Sequence, residues 1–261
     1  MRILKIAATG MMAQQTNVEV ISNNIANVNT TAFKRGRAEF SDLIYQSQRR
    51  QGAFSSDAGT IVPVGVQVGL GVKPTAVSRI TTQGNLQATG NKLDLALEGR
   101  GFFAVALPDG SRAFTRAGAF QLSPEGEIVT SDGYQVDPGL VIPKEASDIE
   151  INRNGEVFAI VPNQTEPQQV GRLTLATFIN EAGLDPLGDN LYRETLASGA
   201  EQIGLPGEEG VGGIRQGYVE TSNVNVVEEI TDLISAQRAY EMNAKVIETG
   251  DQMSATVSNM R

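Results

Sequence analysis

Apolar residues recur every seven positions near both ends of this chain and every two positions in between. Near the start, Leu4, Met11, Val18 and Ile25 form one row, with Ala8, Gln15 and Ser22 between them. A bulky row beside a small or polar row is a heptad seam, and it predicts a helix from Ile3 to Asn27. Ile6, Ala13, Val20 and Ile21 lie off the seam, and Glu19 is the single charge between Lys5 and Lys34. A lone surface helix carries a charged solvent face, so this one has several faces available for burial.

The C-terminal end repeats the pattern. Val226, Leu233, Tyr240 and Ile247 form one row, and Ile230, Gln237 and Ala244 the alternate row. Asn225 followed by Glu228 has the form of a capping box, and Glu228, Glu229 and Asp232 suit the positive end of a helix dipole. Glu241 and Lys245 form an i,i+4 pair in the favourable order. After Gly250 the seam changes phase through Val246, Met253 and Met260. A helix of this extent is about 50 Å long.

Between the ends the period changes to two. "KLDLALEG" sets Leu93, Leu95 and Leu97 against Asp94, Ala96 and Glu98. The runs "GFFAVAL", "RAFTR", "AFQL", "EIVT" and "YQV" follow, divided by the turn formers "PDG", "PEG" and "SDG". "IEINRNGEVFAIV" reads as a hairpin at Asn154-Gly155, and "GRLTLATFIN" as a further strand. The result is an antiparallel meander or small barrel.

Glycine and proline mark the same boundaries. Of 28 glycines only Gly10 precedes residue 36 and only Gly250 follows residue 223, which leaves 28 − 2 = 26 in the middle. All prolines lie between Pro63 and Pro206. The expected class is therefore α+β multidomain: N- and C-terminal helices pairing as a coiled coil, with an antiparallel β-rich middle domain. The expected divisions are an N-terminal assembly helix (1–32), an extended connector (33–90) containing segment 46–65, a β-rich outer domain (91–200), a return connector (201–223) and a C-terminal assembly helix (224–261).

Composition narrows the chemistry. The 261 residues carry 21 Lys plus Arg against 30 Asp plus Glu, a net charge of -9, with no block of basic residues. Nucleic-acid binding needs a basic footprint, so it is not expected. The chain has no Cys, His or Trp. That removes thiolate chemistry, Ser-His and Cys-His catalysis, nearly all zinc sites and the favoured sugar-stacking ring. No metal or cofactor is expected, nor a membrane span, because no run of 18 apolar residues occurs. The start "MRILKIAATGMMAQQ" only weakly imitates a signal peptide and reads as mature sequence.

Paired carboxylates are the remaining catalytic option, with Asp94, Glu98, Asp109, Glu125, Glu127, Asp132 and Asp137 as candidates. Asp109, Glu125 and Asp132 flank turn glycines, and Asp94 and Glu98 fall on the polar face of an alternating strand, where solvation is expected. No catalytic residue is assigned, and the chain is not expected to be an enzyme. Two readings remain from the residues alone. One is a structural subunit whose terminal helices co-assemble beneath an outward β-domain. The other is a secreted carbohydrate-binding or carbohydrate-acting β-domain with an accessory helical hairpin.

"NNIANVNTTAFK", from Asn23 to Lys34, resembles the N-terminal signature of the bacterial flagellar rod and hook protein family. "GYVETSNVNVVEEITDLISAQRAYEMNAKVIETGDQM" is similar to its C-terminal signature. The stretch from "RAEFSDLIYQ" through "GVQVGLGVKPT" to "TSDGYQV" is most similar to the distal rod branch, and the resemblance covers essentially the whole chain.

It implies a homo-oligomeric, hollow helical tube that acts as a rigid drive shaft, carrying torque from motor to hook across the periplasm. Proximal rod proteins, hook protein and the P-ring and L-ring proteins would be its partners, and type III export without a cleaved signal its route. The residues expected to carry assembly are Leu4, Met11, Val18, Ile25, Val226, Ile230, Leu233, Tyr240 and Ile247. Asn23, Asn24, Asn27 and Asn29 are expected to join them, ending the first helix and satisfying groups on adjacent subunits without burying charge. Arg49, Arg50, Ile61 and Val62, in segment 46–65, are expected to add axial contacts that stiffen the tube.

Overall fold

The computed structural model describes residues 2–49, 51, 64–162 and 167–259. The chain divides into two compact units. One comprises Met1–Ala26, Gly36–Arg79 and Asn225–Arg261; the other comprises Asn27–Arg35 and Ile80–Val224.

The first unit holds both long helices, α1 (Arg2–Ala26) and α2 (Val226–Asn259). They pack antiparallel. Gly250 lies against Leu4, and Gly10 lies against Asn243, so the contacts advance in opposite directions along the two chains. A β-carbon added at Gly250 would stand 3.3 Å from Leu4 Cδ2, and one at Gly10 would stand 3.0 Å from the Asn243 amide nitrogen. Small residues thus set the helix separation. Two ribbons complete the unit. β1 (Gly36–Asp42) pairs antiparallel with β4 (Val72–Arg79), and β2 (Tyr45–Arg49) with β3 (Val66–Gly69). The β1–β4 ribbon lies on α1: Gly36 abuts Val20 and Asn24, and the Val72 N–H donates to Thr9 Oγ1 at 3.3 Å. Within 33–90, expected as an extended connector, the described residues 36–42, 45–49, 66–69 and 72–79 are paired strand. The β-branched residues there alternate with glycines, which obscures the period in sequence.

Among the described residues, the regular elements of the second unit are strands apart from one short 3-10 turn. Its strands are β5 (Leu86–Ala88), β6 (Leu95–Glu98), β7 (Phe102–Ala106), β8 (Arg112–Thr115), β9 (Gln121–Leu122), β10 (Ile128–Val129), β11 (Gln135–Val136), β12 (Asp148–Ile151), β13 (Glu156–Ile160), β14 (Gln168–Arg172), β15 (Leu175–Thr177), β16 (Asp185–Gly188), β17 (Leu191–Arg193), β18 (Gln202–Gly204), β19 (Gly213–Gln216) and β20 (Tyr218–Glu220). The main sheet runs β16-β17-β8-β7-β11-β10-β9, with β15 pairing both β7 and β18. A second sheet is the meander β12-β13-β14, and β6 pairs β19 while β5 pairs β20. Every strand pair is antiparallel.

β7 explains its own sequence. Phe103 and Val105 are buried on one face, and Phe102 and Ala104 on the other. Both faces are covered, so the strand reads as a continuous apolar run. Phe103 meets Phe120 edge-on at 5.1 Å in the larger core, with Leu95, Leu97, Val157 and Leu175. Phe102 and Phe114 meet Phe178 at 5.8 and 4.8 Å in a smaller core. The turn tripeptides do the same job repeatedly. The N–H groups of Gly110, Gly126, Gly133 and Gly155 each donate to the carbonyl three residues back, and all four glycines have φ between 78 and 93°. Only glycine adopts that conformation without strain.

Candidate functional site: helix faces and the base of the β-unit

Two rows of α2 face α1. One contains Leu233 and Ile247, half-buried and two heptads apart, with Tyr240 exposed midway between them. The other contains Glu229, Ala236, Asn243 and Gly250, of which Glu229, Ala236 and Gly250 are buried. This second row lies one residue before the expected Ile230, Gln237 and Ala244. The reason is steric: close helix approach selects small residues, and the alternate row carries Ile230. On α1 the fully buried residues are Ala7, Ala13, Ile21 and Asn24, while Leu4, Met11, Val18 and Ile25 are half-buried at the flanks. Asn225 caps α2, accepting from the Val227 N–H at 3.2 Å. Lys245 bonds Glu248, three residues on, at 3.4 Å, in place of the pair expected with Glu241.

Part of what α1 leaves uncovered on α2 is apolar. Val226, Val227, Ile230 and Ile234 are exposed in its first half, and Met242, Val246 and Met253 in its second. Val227 is 75% exposed, Met242 64% and Met253 62%. Ile3 and Met12 of α1 are exposed as well. Scattered apolar surface residues are ordinary, but a succession along one helix marks an interaction face.

The asparagines divide into different roles. Asn24 is buried, and its amide satisfies its own chain. Its nitrogen donates to the Gly36 carbonyl at 2.9 Å and to Glu229 Oε2 at 3.0 Å, and its oxygen accepts from the Gly36 N–H at 2.8 Å. All three of these partners lie within the same chain. Asn27 ends α1 locally: its side-chain oxygen accepts from Thr30 Oγ1 at 3.0 Å and its carbonyl from the Thr30 N–H at 3.1 Å. Asn23 and Asn29 are exposed.

The β-unit contains a buried charge cluster that sequence reasoning missed. Glu220, 1% exposed, accepts from Lys34 Nζ at 2.5 Å, Arg116 Nε at 3.0 Å and the Gly84 N–H at 2.9 Å. Lys34 also donates to the Thr82 carbonyl at 2.9 Å, and Arg116 to the carbonyls of Gly101 and Gly99, both at 3.0 Å. Burial pushes the Glu220 carboxyl up, but Arg116 and Lys34 outweigh it and hold the carboxyl below its ordinary range. Burial, against the opposing pull of Glu220, leaves the Lys34 ammonium below its ordinary value. The three charges come from positions 34, 116 and 220, so no local pattern announces them. The only hint is that each sits among apolar neighbours, in "AFK", "FTR" and "YVE".

The candidate carboxylates are occupied structurally. Asp94, expected in solvent, is 8% exposed and accepts from Thr89 Oγ1 at 2.5 Å and Asn91 Nδ2 at 3.0 Å. Glu98 pairs with Arg215 at 3.0 Å and Arg153 at 3.5 Å. Asp137 pairs with Arg112 at 3.0 Å. Asp109 and Glu125 bond the serines of their own turns, which lowers both carboxyls. Asp132 and Glu127 sit in turn-flanking positions of the same kind. A groove of about 590 Å³ between β9 and β12 presents one carboxylate, Asp148, engaged by Lys92, and no aromatic ring. Of the stiffness residues, Arg49 ends β2, and Arg50, Ile61 and Val62 lie outside the described residues.

Three family models match the chain. Residues 4–34 match the flagella basal body rod protein model, residues 96–159 the flagellar hook protein FlgE/F/G D1 domain, and residues 215–260 the flagellar basal body rod FlgEFG protein C-terminal model. The flagellar basal-body rod protein FlgG of Agrobacterium fabrum is 56% identical over 99% of this chain and 98% of its own. FlgG of Caulobacter vibrioides is 56% identical over the full length of both chains. FlgG of Bacillus subtilis is 39% identical over 100% of this chain and 99% of its own.

Proposed function

The chain belongs to the flagellar basal-body rod protein family, and we propose that it builds the distal rod by stacking copies through the apolar surface that α1 leaves open on α2. The observation that carries this is the pair of exposed rows, Val227–Ile234 and Val246–Met253, each with a heptad step. A helix with apolar residues on both sides has one face for its partner in the chain and another for a neighbour. The α1–α2 pair is read as a coiled coil, supported by the steps of seven in Glu229, Ala236, Asn243 and Gly250.

In this reading the assembled copies form a hollow helical tube, a rigid drive shaft crossing the periplasm. Its ends meet proximal rod proteins and hook protein, and its outer β-units face the P-ring and L-ring proteins. The net charge of -9 gives nucleic acid no footprint, and no helix among the described residues is long and apolar enough to cross a membrane. The groove's lone, engaged carboxylate and lack of aromatic rings give the carbohydrate reading no support. Segment 46–65, with Arg49, Arg50, Ile61 and Val62, adds axial contacts between copies.

Electron microscopy of concentrated full-length protein tests the reading, with an Ile234→Asp variant beside it. Tubes from the native protein and dispersed particles from the variant are expected; tubes from both contradict it. Removing segment 46–65 should leave tubes that bend more easily, and equally rigid tubes would reject its stiffening role.

A further inference from the structure

We propose that Glu220, with Lys34 and Arg116, is a positioning set that stitches the chain's exits from the β-rich unit into one torsionally stiff base. The chain crosses between its two units at four places, after residues 26, 35, 79 and 224. Four independent crossings would be soft tethers, because each residue contributes two freely rotating dihedrals. Inside the β-unit, the segments next to these crossings are instead bonded to one another.

The bonds form a closed set. The Ala32 N–H donates to the Glu220 carbonyl at 2.8 Å, and the Ile80 N–H to the Arg35 carbonyl at 3.0 Å. Asn223 accepts from the Arg35 N–H at 2.8 Å and donates to the Ile80 carbonyl at 2.8 Å and the Thr82 carbonyl at 3.1 Å. The Glu220 carboxylate sits at the centre. It draws Lys34 from the first exit segment, the Gly84 N–H from the third and Arg116 from the sheet. Arg116 in turn holds the carbonyls of Gly99 and Gly101, at the entrance to β7. The exits are thereby referred to the main sheet and its core.

A buried ionic network suits this task better than apolar packing. Its donors and acceptors have one satisfying arrangement, and a partial twist leaves a buried charge unpaired. Apolar side chains slide at less expense. Such a base is what a subunit under torque requires, and that part of the inference rests on the rod reading above.

Hydrogen exchange of full-length, unassembled protein tests the stitch. In Glu220→Gln the amides of Ala32, Arg35, Ile80 and Gly84 should accelerate about ten-fold or more beyond those of Phe103, Val105 and Leu175, whose change reports the loss of global stability. Unchanged exchange at the exits, or equal acceleration throughout the β-unit, would overturn it. Should Glu220→Gln not fold, Lys34→Met removes one cation, keeps the Arg116 pair and is read by the same criteria. Tubes of the variant should bend and twist more than native ones. Looser exits with unchanged tube stiffness would overturn the torque role and leave the rod reading intact. If neither protein forms tubes, the rod reading fails while the exchange result still decides the stitch.

Discussion

Asn24 donates to Glu229 across a buried 3.0 Å hydrogen bond that joins residues 205 positions apart. The same amide engages both the N–H and the carbonyl of Gly36, so one side chain ties α1, α2 and the start of β1 together. Asn24→Ala removes all three bonds at once, at a buried side chain. It should destabilise the helical unit by about 3 kcal/mol, since each orphaned buried polar group costs about 1–3 kcal/mol. Chemical denaturation monitored by helix content measures this. The exposed Asn29 is the control, and Asn29→Ala should change little.

Gly250 sets how closely the helices approach. A β-carbon there meets Leu4 Cδ2 at 3.3 Å, an end that can yield slightly. Gly250→Ala should therefore be nearly neutral, its gain in helix propensity of about 1 kcal/mol offset by the tight contact. Gly250→Leu must push α1 away and should lower stability by about 1–3 kcal/mol. Paired thermal melts of the two variants distinguish a spacing role from a mere helix weakness.

Glu220 should impose a pH dependence. Its carboxyl is held below the ordinary value of 4.5. A carboxyl so held contributes stability that is complete above 4.5 and disappears as the pH falls through its folded value. Stability of the β-unit should therefore decline on acidification below 4.5, and Glu220→Gln should flatten that limb of the profile. At neutral pH the same substitution leaves Lys34 and Arg116 buried without their counter-charge, a loss of about 3–5 kcal/mol. Denaturation curves at several pH values measure both effects.

Phe103 lies at the centre of the larger core, fully buried and edge-on to Phe120. Phe103→Ala should lower β-unit stability by about 4 kcal/mol through lost burial and the cavity left behind. Denaturation followed by tyrosine fluorescence reads the β-unit through Tyr134, Tyr192 and Tyr218, because the chain has no Trp.

The parts of this molecule that were legible in sequence are those governed by local rules. Steps of seven marked both helices, Gly and Pro marked the middle, and the glycines of "PDG", "PEG" and "SDG" stand in the turns their chemistry demands. The row of α2 that meets α1 lies one residue before the row that the bulky apolar pattern predicts. Glu229, Ala236, Asn243 and Gly250 also step by seven, but small and polar residues do not stand out in a search for bulky ones. The strands of 36–79 were hidden because neither of their faces is a continuous apolar row. Asn24 and the Lys34–Glu220–Arg116 cluster depend on partners up to 205 residues away, which only the folded chain brings together.

The central claim is that the open apolar rows of α2 are covered by other copies of the chain. Because the chain contains no Cys, single thiols can be placed without background. The decisive measurement is the rate of thiol labelling at Val227→Cys and Ile234→Cys, in dilute protein and in the assembled form. The account predicts rapid labelling of the dilute protein and strong protection at both positions after assembly. Equal labelling in the two states would contradict it.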